Sequence, residues 1–124
     1  MRRDLRIVVC ICLCLLALVA RGQGRKLTAA EAKEHVGEKA TVCGTVASAR
    51  YADRSNGKPT FLNLDAAYPK EIFTIVIWGS DRDKFEQPES KYANTSVCVS
   101  GTITSYRGSP EIVANEPSAI EVQK

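Results

Sequence analysis

Residues that could bind a polyanion are concentrated between positions 50 and 78 of this chain. In the stretch "PTFLNLD", Leu62 and Leu64 share one face of a strand, whereas Phe61 and Asn63 lie on the other face. If the leucines point into a core, Phe61 points outward, where an aromatic ring can stack on a nucleobase for about 1–3 kcal/mol. The alternative is that Phe61 packs beneath a neighbouring loop or the N-terminal segment.

Basic side chains and a second ring extend this candidate site. The further candidates are Arg50, Arg54, Lys58, Arg107 and Trp78. Contacts of Arg and Lys with phosphate dominate nucleic-acid affinity, so this group of basic residues could bind a nucleic-acid strand. However, Asp53 and Asp65 are interleaved with the basic residues, and an ordinary mixed-charge surface is the alternative. Trp78 ends an apolar β-strand, and we interpret it as a ring of the rim or the core and not as a ligand contact.

Residues able to perform catalysis have little support in the sequence. The chain has one histidine, His35, so a zinc set of convincing spacing is absent. Asp81 and Asp83 have the spacing of a cation loop but lack its glycine and terminal glutamate. No Ser/His/Asp arrangement can be argued. We therefore expect a non-catalytic protein without a metal or cofactor.

The first residues are typical of an export signal. The charged start "MRRDLR" precedes an apolar run from Ile7 to Ala20, and Gly22 follows a small residue at the right distance for cleavage. An uncleaved membrane anchor is the alternative, but the run is short for a membrane span. The sequence predicts a signal peptide over residues 1–22, one domain over 23–124, and a periplasmic or extracellular location.

Removing this segment changes the charge and the cysteine count. The chain has 17 basic and 14 acidic residues, and residues 1–22 contain four of the basic ones and one acidic one. The mature domain is then formally neutral, which does not indicate a polyanion partner. Only Cys43 and Cys98 remain, and two thiols in an exported chain favour one disulfide, with two free thiols as the alternative.

The expected elements are a short helix followed by five strands. Thr28 and Glu31 have capping-box spacing, and Gly37 supplies a helix stop. Period-two patterns then predict strands at about 38–51, 60–65, 72–78, 94–106 and 111–123, the last one irregular near Pro117. A short helical link is expected between the third and fourth strands. The repeated pattern at Val42–Val46 and Val99–Ile103 places Gly44 and Gly101 where strands of a small barrel could bend.

Four segments carry a resemblance to a known family. The segments "HVGEKATVCGTV", "KPTFLNLDAAYP", "FTIVIWGSDRDKF" and "VCVSGTITSYRGSPEIV" resemble the OB-fold modules of exported bacterial proteins, which stand alone or beside nuclease domains. The resemblance implies a five-stranded Greek-key barrel, with a ligand surface around its second and third strands and the flanking loops. It also implies that Cys43 and Cys98, on paired strands, could meet outside the barrel.

The fold leaves the function open among three hypotheses. The first is a binding module for single-stranded nucleic acid, which the positions of Phe61 and the basic loops favour. The second is an envelope module that binds a protein partner or a small ligand, which the low basicity favours. The third is an accessory to a separately encoded nuclease.

Overall fold

The computed structural model describes residues 25–124, so the predicted signal segment lies outside the described residues. The strands are β1 (Arg25–Thr28), β2 (Lys39–Tyr51), β3 (Thr60–Leu64), β4 (Phe73–Ile77), β5 (Ser96–Thr102), β6 (Thr104–Tyr106), β7 (Ser109–Val113) and β8 (Ile120–Val122). The helices are α1 (Gly79–Arg82) and α2 (Pro88–Lys91), with 3-10 turns at Ala32–His35, Asp83–Phe85 and Pro117–Ala119. In this part of the chain no helix has the length and apolarity needed to cross a bilayer.

The strands form one curled, mixed sheet. Its order is β6-β7-β4-β3-β2-β5-β8, with β1 parallel to β2 beside this path. β4 and β7 are also parallel, and the other neighbours are antiparallel. The path is open, since β6 and β8 lie at its two ends. The sheet nevertheless curls until β5 touches β7, where a β-carbon on Gly101 would lie 2.8 Å from Cγ2 of Ile112.

The long strand β2 changes its partner halfway along. Its first part pairs with β5 and its second part with β3, and the register shifts between Val46 and Ser48. At the junction, the Thr45 amide donates a hydrogen bond of 2.8 Å to Oδ1 of Asp65. A β-carbon on Gly44 would lie 2.8 Å from the same oxygen. Glycine is therefore needed here for the close approach of the Asp65 carboxylate.

The core lies inside this curled sheet. Alternate residues of β2, β3, β4, β5 and β7 are fully buried there: Val42, Val46, Leu62, Leu64, Phe73, Ile75, Ile77, Val97, Val99 and Ile112. Phe85 and Tyr92, from the helical link after β4, join the same cluster. Burial of Tyr92 raises the pKa of its hydroxyl. The helical link between the third and fourth predicted strands is confirmed.

The strand count of residues 25–124 is eight and not five, because β1 is an additional strand and the two last predicted strands are each divided. The fourth breaks at Ile103 into β5 and β6, and the fifth becomes β7 and β8. β7 pairs with β4, whereas β8 pairs with β5 on the opposite edge of the sheet. The residues around Pro117, which cannot continue a ladder, allow the chain to cross between these edges.

The predicted N-terminal helix is wrong in extent. Residues 25–28 form β1, and only a 3-10 turn follows. Residues 25–28 join the sheet through parallel pairing with β2 and burial of Leu27, and only Ala32–His35 of the predicted helix form a helical turn. The predicted capping box is present all the same. The Thr28 amide donates to Oε1 of Glu31 at 2.9 Å, and the Glu31 amide donates to Oγ1 of Thr28 at 3.2 Å.

The disulfide prediction is confirmed. Cys43 and Cys98 face each other directly on β2 and β5, and their sulfur atoms are 2.06 Å apart. Val42 and Val99, the next pair along the ladder, point into the core. The cross-link therefore lies on the outer side of the sheet, as predicted.

Candidate functional site

The candidate ligand surface is the outer side of four adjacent strands. We define the outer face as the outward residues of β3, β4 and β7 and of the second part of β2. Its residues follow from the register, because partners directly opposite in a sheet point to the same side. The face consists of Arg50, Phe61, Val76 and Val113 in one row and Ser48, Asn63, Thr74 and Glu111 in the next.

Phe61 occupies the middle of this face, as the alternation predicts. Leu62 and Leu64 are fully buried on the inner side, and Phe61 is half-buried on the outer side. Its neighbour across the ladder to β4, Val76, is only 2% exposed, so surrounding side chains cover it. Its neighbour on β2, Arg50, is exposed. The ring therefore adjoins a cation on one side and an apolar floor on the other.

The second row is a hydrogen-bonded polar chain. Oγ1 of Thr74 donates to Oδ1 of Asn63 at 3.0 Å, and Nδ2 of Asn63 donates to Oγ of Ser48 at 3.0 Å. The amide of Tyr68 also donates to Oγ of Ser48, at 3.1 Å. Asn63 is only 5% exposed. Both ends of its amide are already bonded, so this residue fixes the surface more than it offers itself to a ligand.

Glu111 continues this row on β7. It lies opposite Thr74 of β4 and opposite Thr104 of β6. Partial burial raises the pKa of its carboxyl group, because the charged form loses hydration. The described residues place no cation within ion-pair distance of it. This carboxylate breaks an otherwise neutral or basic surface, and the sequence analysis did not identify it.

Trp78 and the β2–β3 loop, residues 52–59, lie at one end of the outer face. Trp78 directly follows β4 and is 41% exposed. A β-carbon on Gly57 would lie 3.0 Å from two atoms of its ring, so one side of the ring rests on the loop. Arg54 and Lys58 are exposed in this loop, and neither forms an ion pair with a described residue. Trp78 is thus a rim ring, as interpreted from the sequence.

Arg107 lies at the opposite end of the outer face. Because β7 runs parallel to β4, the tight turn that opens β7 meets the start of β4, far from Trp78. In this turn Arg107 and Gly108 both have positive φ, of 51° and 82°. The Arg107 guanidinium lies 5.2 Å from the ring centre of Tyr106, which is 59% exposed. From the row of Trp78 to that of Tyr106, the face is about 20 Å long at the usual rise per strand residue.

Residues at the centre of the outer face are easier to predict from the sequence than those at its Arg107 end. Alternation predicts the outward position of Phe61, whereas Arg50 is predicted from the cluster of basic residues at positions 50–58 and Trp78 from its place at the end of an apolar strand. The roles of Tyr106 and Glu111 depend on the parallel pairing of β4 and β7, which joins residues some forty positions apart and leaves no local signal. Tyr68, in the loop between β3 and β4, is 71% exposed. Among residues 25–124 no group of three or more His, Cys, Asp or Glu could hold a metal ion.

Comparison with known proteins identifies the fold. No protein-family model matches the chain, and no curated protein matches it. A solved protein assigned as an aspartyl-tRNA synthetase of Leishmania major Friedlin matches with a TM-score of 0.53 and 13% identity, over 82% of this chain and 21% of that one. The OBody AM1L10 bound to hen egg-white lysozyme matches with a TM-score of 0.53 and 18% identity, over 77% of this chain and 89% of that one.

A third solved structure, the asparaginyl-tRNA synthetase from Pyrococcus horikoshii, has a TM-score of 0.47 and 22% identity over 73% of this chain. The chain spans about a fifth of the length of either synthetase. At these identities the likeness concerns the fold alone. The chain has a mostly β, OB-like fold.

Proposed function

We propose that this protein is a non-catalytic, exported module that binds single-stranded nucleic acid on its outer face. One observation carries the proposal: Phe61, an outward ring, lies beside Arg50 in the centre of a surface that has exposed rings and cations at both ends. Ring faces stack on any base, and arginine and lysine contact phosphates without sequence preference. Such a surface suits a loosely specific binder of short strands.

The dimensions of the surface support this proposal. Trp78, Phe61 and Tyr106 lie along a face about 20 Å long. Arg54 and Lys58 at one end and Arg107 at the other extend the positive charge to both ends. The formal neutrality of residues 23–124 is then compatible with binding, because local cations and not net charge contact the phosphates.

Similar folds are found in tRNA synthetases, whose names state that they act with tRNA. The chain matches only a small part of those proteins. The likeness therefore supports nucleic-acid binding through the fold alone. Export belongs to the same proposal and depends on residues 1–22 acting as a signal, whereas a role as an accessory to a separately encoded nuclease is a separate alternative.

A protein partner is the second candidate. The similar OBody AM1L10 is described as bound to lysozyme, so an OB-like surface can bind a protein. Exposed rings such as Tyr68 and Trp78 are also typical of interfaces. This alternative gains from the neutral charge of residues 23–124, and it predicts binding that responds weakly to salt.

Fluorescence anisotropy with a labelled oligothymidylate of about ten nucleotides, within the site sizes of single OB-folds, tests the proposal. In a salt series we expect affinity to fall steeply as salt rises. Phe61→Ala should lower the affinity by about 1–3 kcal/mol, since one stacking contact is lost. Arg54→Ala should reduce the salt slope by about 0.7, the value for one phosphate contact on a single strand.

Lys124→Ala is the matched control, because Lys124 is exposed at the end of the chain, after the edge strand β8. It should leave both the affinity and the salt slope unchanged. Absence of binding at low salt would contradict the proposal and favour the protein partner. Binding that Phe61→Ala leaves intact would remove the outer face from the site.

A further inference from the structure

A second concave site adjoins the Arg107 end of the outer face. We define the terminal cleft as the space of about 330 Å³ enclosed by the N-terminal segment, the β3–β4 loop and the β6–β7 turn. Its lining includes Lys33, Glu71, Ile72, Arg107 and Ser109. Three parts of the chain that are distant in sequence therefore converge on one cleft.

The cleft combines two cations with an unsatisfied acceptor. Neither Lys33 nor Arg107 forms an ion pair with any residue of the described chain. One carboxylate oxygen of Glu71, Oε2, is buried and has no hydrogen-bond partner among the described residues. A buried acceptor left without a donor costs about 1–3 kcal/mol. Oε2 has almost no accessible surface, so Glu71 must turn toward the cleft before it can accept from a ligand; a ligand that brings both negative charge and a hydroxyl group would then satisfy all three side chains.

The cleft is continuous with the outer face. Tyr106 pairs directly with Ser109, which also lines the cleft, and the Arg107 guanidinium lies over the Tyr106 ring. Ile72, at the mouth of the cleft, is 41% exposed and gives an apolar contact beside these charges. A nucleic-acid strand that lies across Phe61 would place its terminal nucleotide in the cleft.

We infer that the terminal cleft binds the phosphorylated end of a nucleic-acid strand, with Lys33 and Arg107 on the phosphate monoester and Glu71 on a sugar hydroxyl. This inference rests on the proposed function, which it extends from strand binding to end recognition. A terminal monoester carries a charge of about −2, compared with −1 for an internal diester, so two unpaired cations favour the end of a strand. The Glu71 carboxylate repels a second phosphate but can accept a hydrogen bond from a sugar hydroxyl group of the terminal nucleotide.

Competition binding tests the inference. The labelled oligothymidylate is displaced with unlabelled strands of the same length that carry a 5′-phosphate, a 3′-phosphate or no terminal phosphate. We expect one phosphorylated strand to compete about tenfold better than the unphosphorylated one, and the comparison of the two ends identifies the polarity. Lys33→Ala should abolish this advantage and leave the affinity for the unphosphorylated strand unchanged, because Lys33 lies outside the outer face.

Lys26→Ala is the control, since Lys26 is an exposed lysine of the same N-terminal segment that does not line the cleft. Free thymidine monophosphate and inorganic phosphate, followed by NMR shifts of the residues around the cleft, distinguish a strand end from a free nucleotide or a free anion. Glu71→Gln adds a second readout: loss of the negative charge should strengthen the binding of inorganic phosphate, whereas the nucleotide should gain less, because its hydroxyl group loses a charged acceptor.

The outcomes separate the inference from the proposed function. Equal competition by phosphorylated and unphosphorylated strands would overturn end recognition and leave strand binding in place. If no strand binds but thymidine monophosphate shifts the cleft residues in a Lys33-dependent way, strand binding fails and a site for phosphate monoesters remains. If neither strands nor nucleotide bind, both ideas are wrong.

Discussion

One strand, β2, contributes to two outward surfaces of different chemistry. Its second part carries Arg50 into the outer face, beside Phe61. Its first part carries Cys43, which is joined to Cys98 on β5. The disulfide lies between two hydroxyl pairs, Thr41 with Ser100 at 2.8 Å and Thr45 with Ser96 at 3.3 Å.

We call this second surface the cross-linked face, with Thr41, Cys43, Thr45, Ser96, Cys98 and Ser100 as its members. It has a covalent bond, short hydroxyl side chains and neither a ring nor a charge among these residues. The outer face has rings and cations but is held by non-covalent bonds alone. The disulfide stabilises one end of β2, and the proposed recognition concerns the other end, so variants should separate the two effects.

The largest effect on stability is expected from the disulfide. Replacing both Cys43 and Cys98 by alanine opens a loop whose ends are 55 residues apart. In the chain-entropy model this lowers the free energy of unfolding by about 4 kcal/mol. Urea denaturation of the double variant and of the reduced and oxidised wild type measures it. If the surfaces are independent, strand affinity of the folded variant is unchanged, and a large loss of affinity would break the comparison.

Gly101→Ala tests the contact that curls the sheet. The new β-carbon would lie 2.8 Å from Cγ2 of Ile112, so β5 and β7 must separate. We expect a loss of about 1–3 kcal/mol in the free energy of unfolding, as for overpacked cores. Gly108→Ala is a useful contrast, because nothing lies within 4 Å of the added carbon and any cost there comes from its φ of 82°. Equal stability of Gly101→Ala and wild type would show that the structure can relax around the added methyl group without a measurable cost.

The polar groups of the two surfaces should differ in energy. Asn63→Leu removes the partner of buried Thr74 and of Ser48, and an unsatisfied buried group costs about 1–3 kcal/mol. Thr41→Ala removes a more exposed hydroxyl pair, for which about 0.2–1 kcal/mol is expected. Denaturation of both variants under identical conditions gives the ratio. A larger loss of stability in Thr41→Ala than in Asn63→Leu would contradict this order of the two hydrogen-bonded groups.

The smallest effect concerns Glu111 and its dependence on pH. Burial raises the folded-state pKa of this carboxyl above its unfolded value, so its ionisation disfavours the folded state. Stability contributed by the protonated form is present at acid pH and is lost as the pH rises through the folded pKa. Glu111→Gln should therefore be more stable than wild type at neutral pH, and this difference should vanish at about pH 3, where both forms are neutral. A difference that does not change with pH would assign the effect to packing.

Local patterns in the sequence were sufficient for β2, β3, β4 and the helical link. Alternation placed Leu62 inward and Phe61 outward, and the capping box marked Thr28 and Glu31 even though the helix around them is reduced to one turn. The disulfide is predicted from the two cysteines that remain outside residues 1–22 of an exported chain, and the resemblance to OB-fold modules implies that both lie on paired strands. These features depend on neighbours in the chain or on a single long-range pair.

The features that the sequence did not predict depend on non-local pairing. Nothing near residues 25–28 shows that they will join β2 in parallel, since the ladder is completed by residues 40–43. The division of the last predicted strand is similar, because β7 and β8 both contain Glu, Ile and Val but have different partners. The terminal cleft was missed for this reason, since Lys33, Glu71 and Arg107 come together only when β7 lies beside β4.

The contact between Gly44 and Asp65 also has a consequence for how the hairpin of β2 and β3 selects its pairing. A slip by one residue would bring Cys43 or Thr45 to the position of Gly44, and its β-carbon would meet the Asp65 carboxylate. It would also turn Phe61 into the core and Leu62 to solvent. The absence of a side chain at Gly44 therefore favours the register that keeps the ring of Phe61 outside.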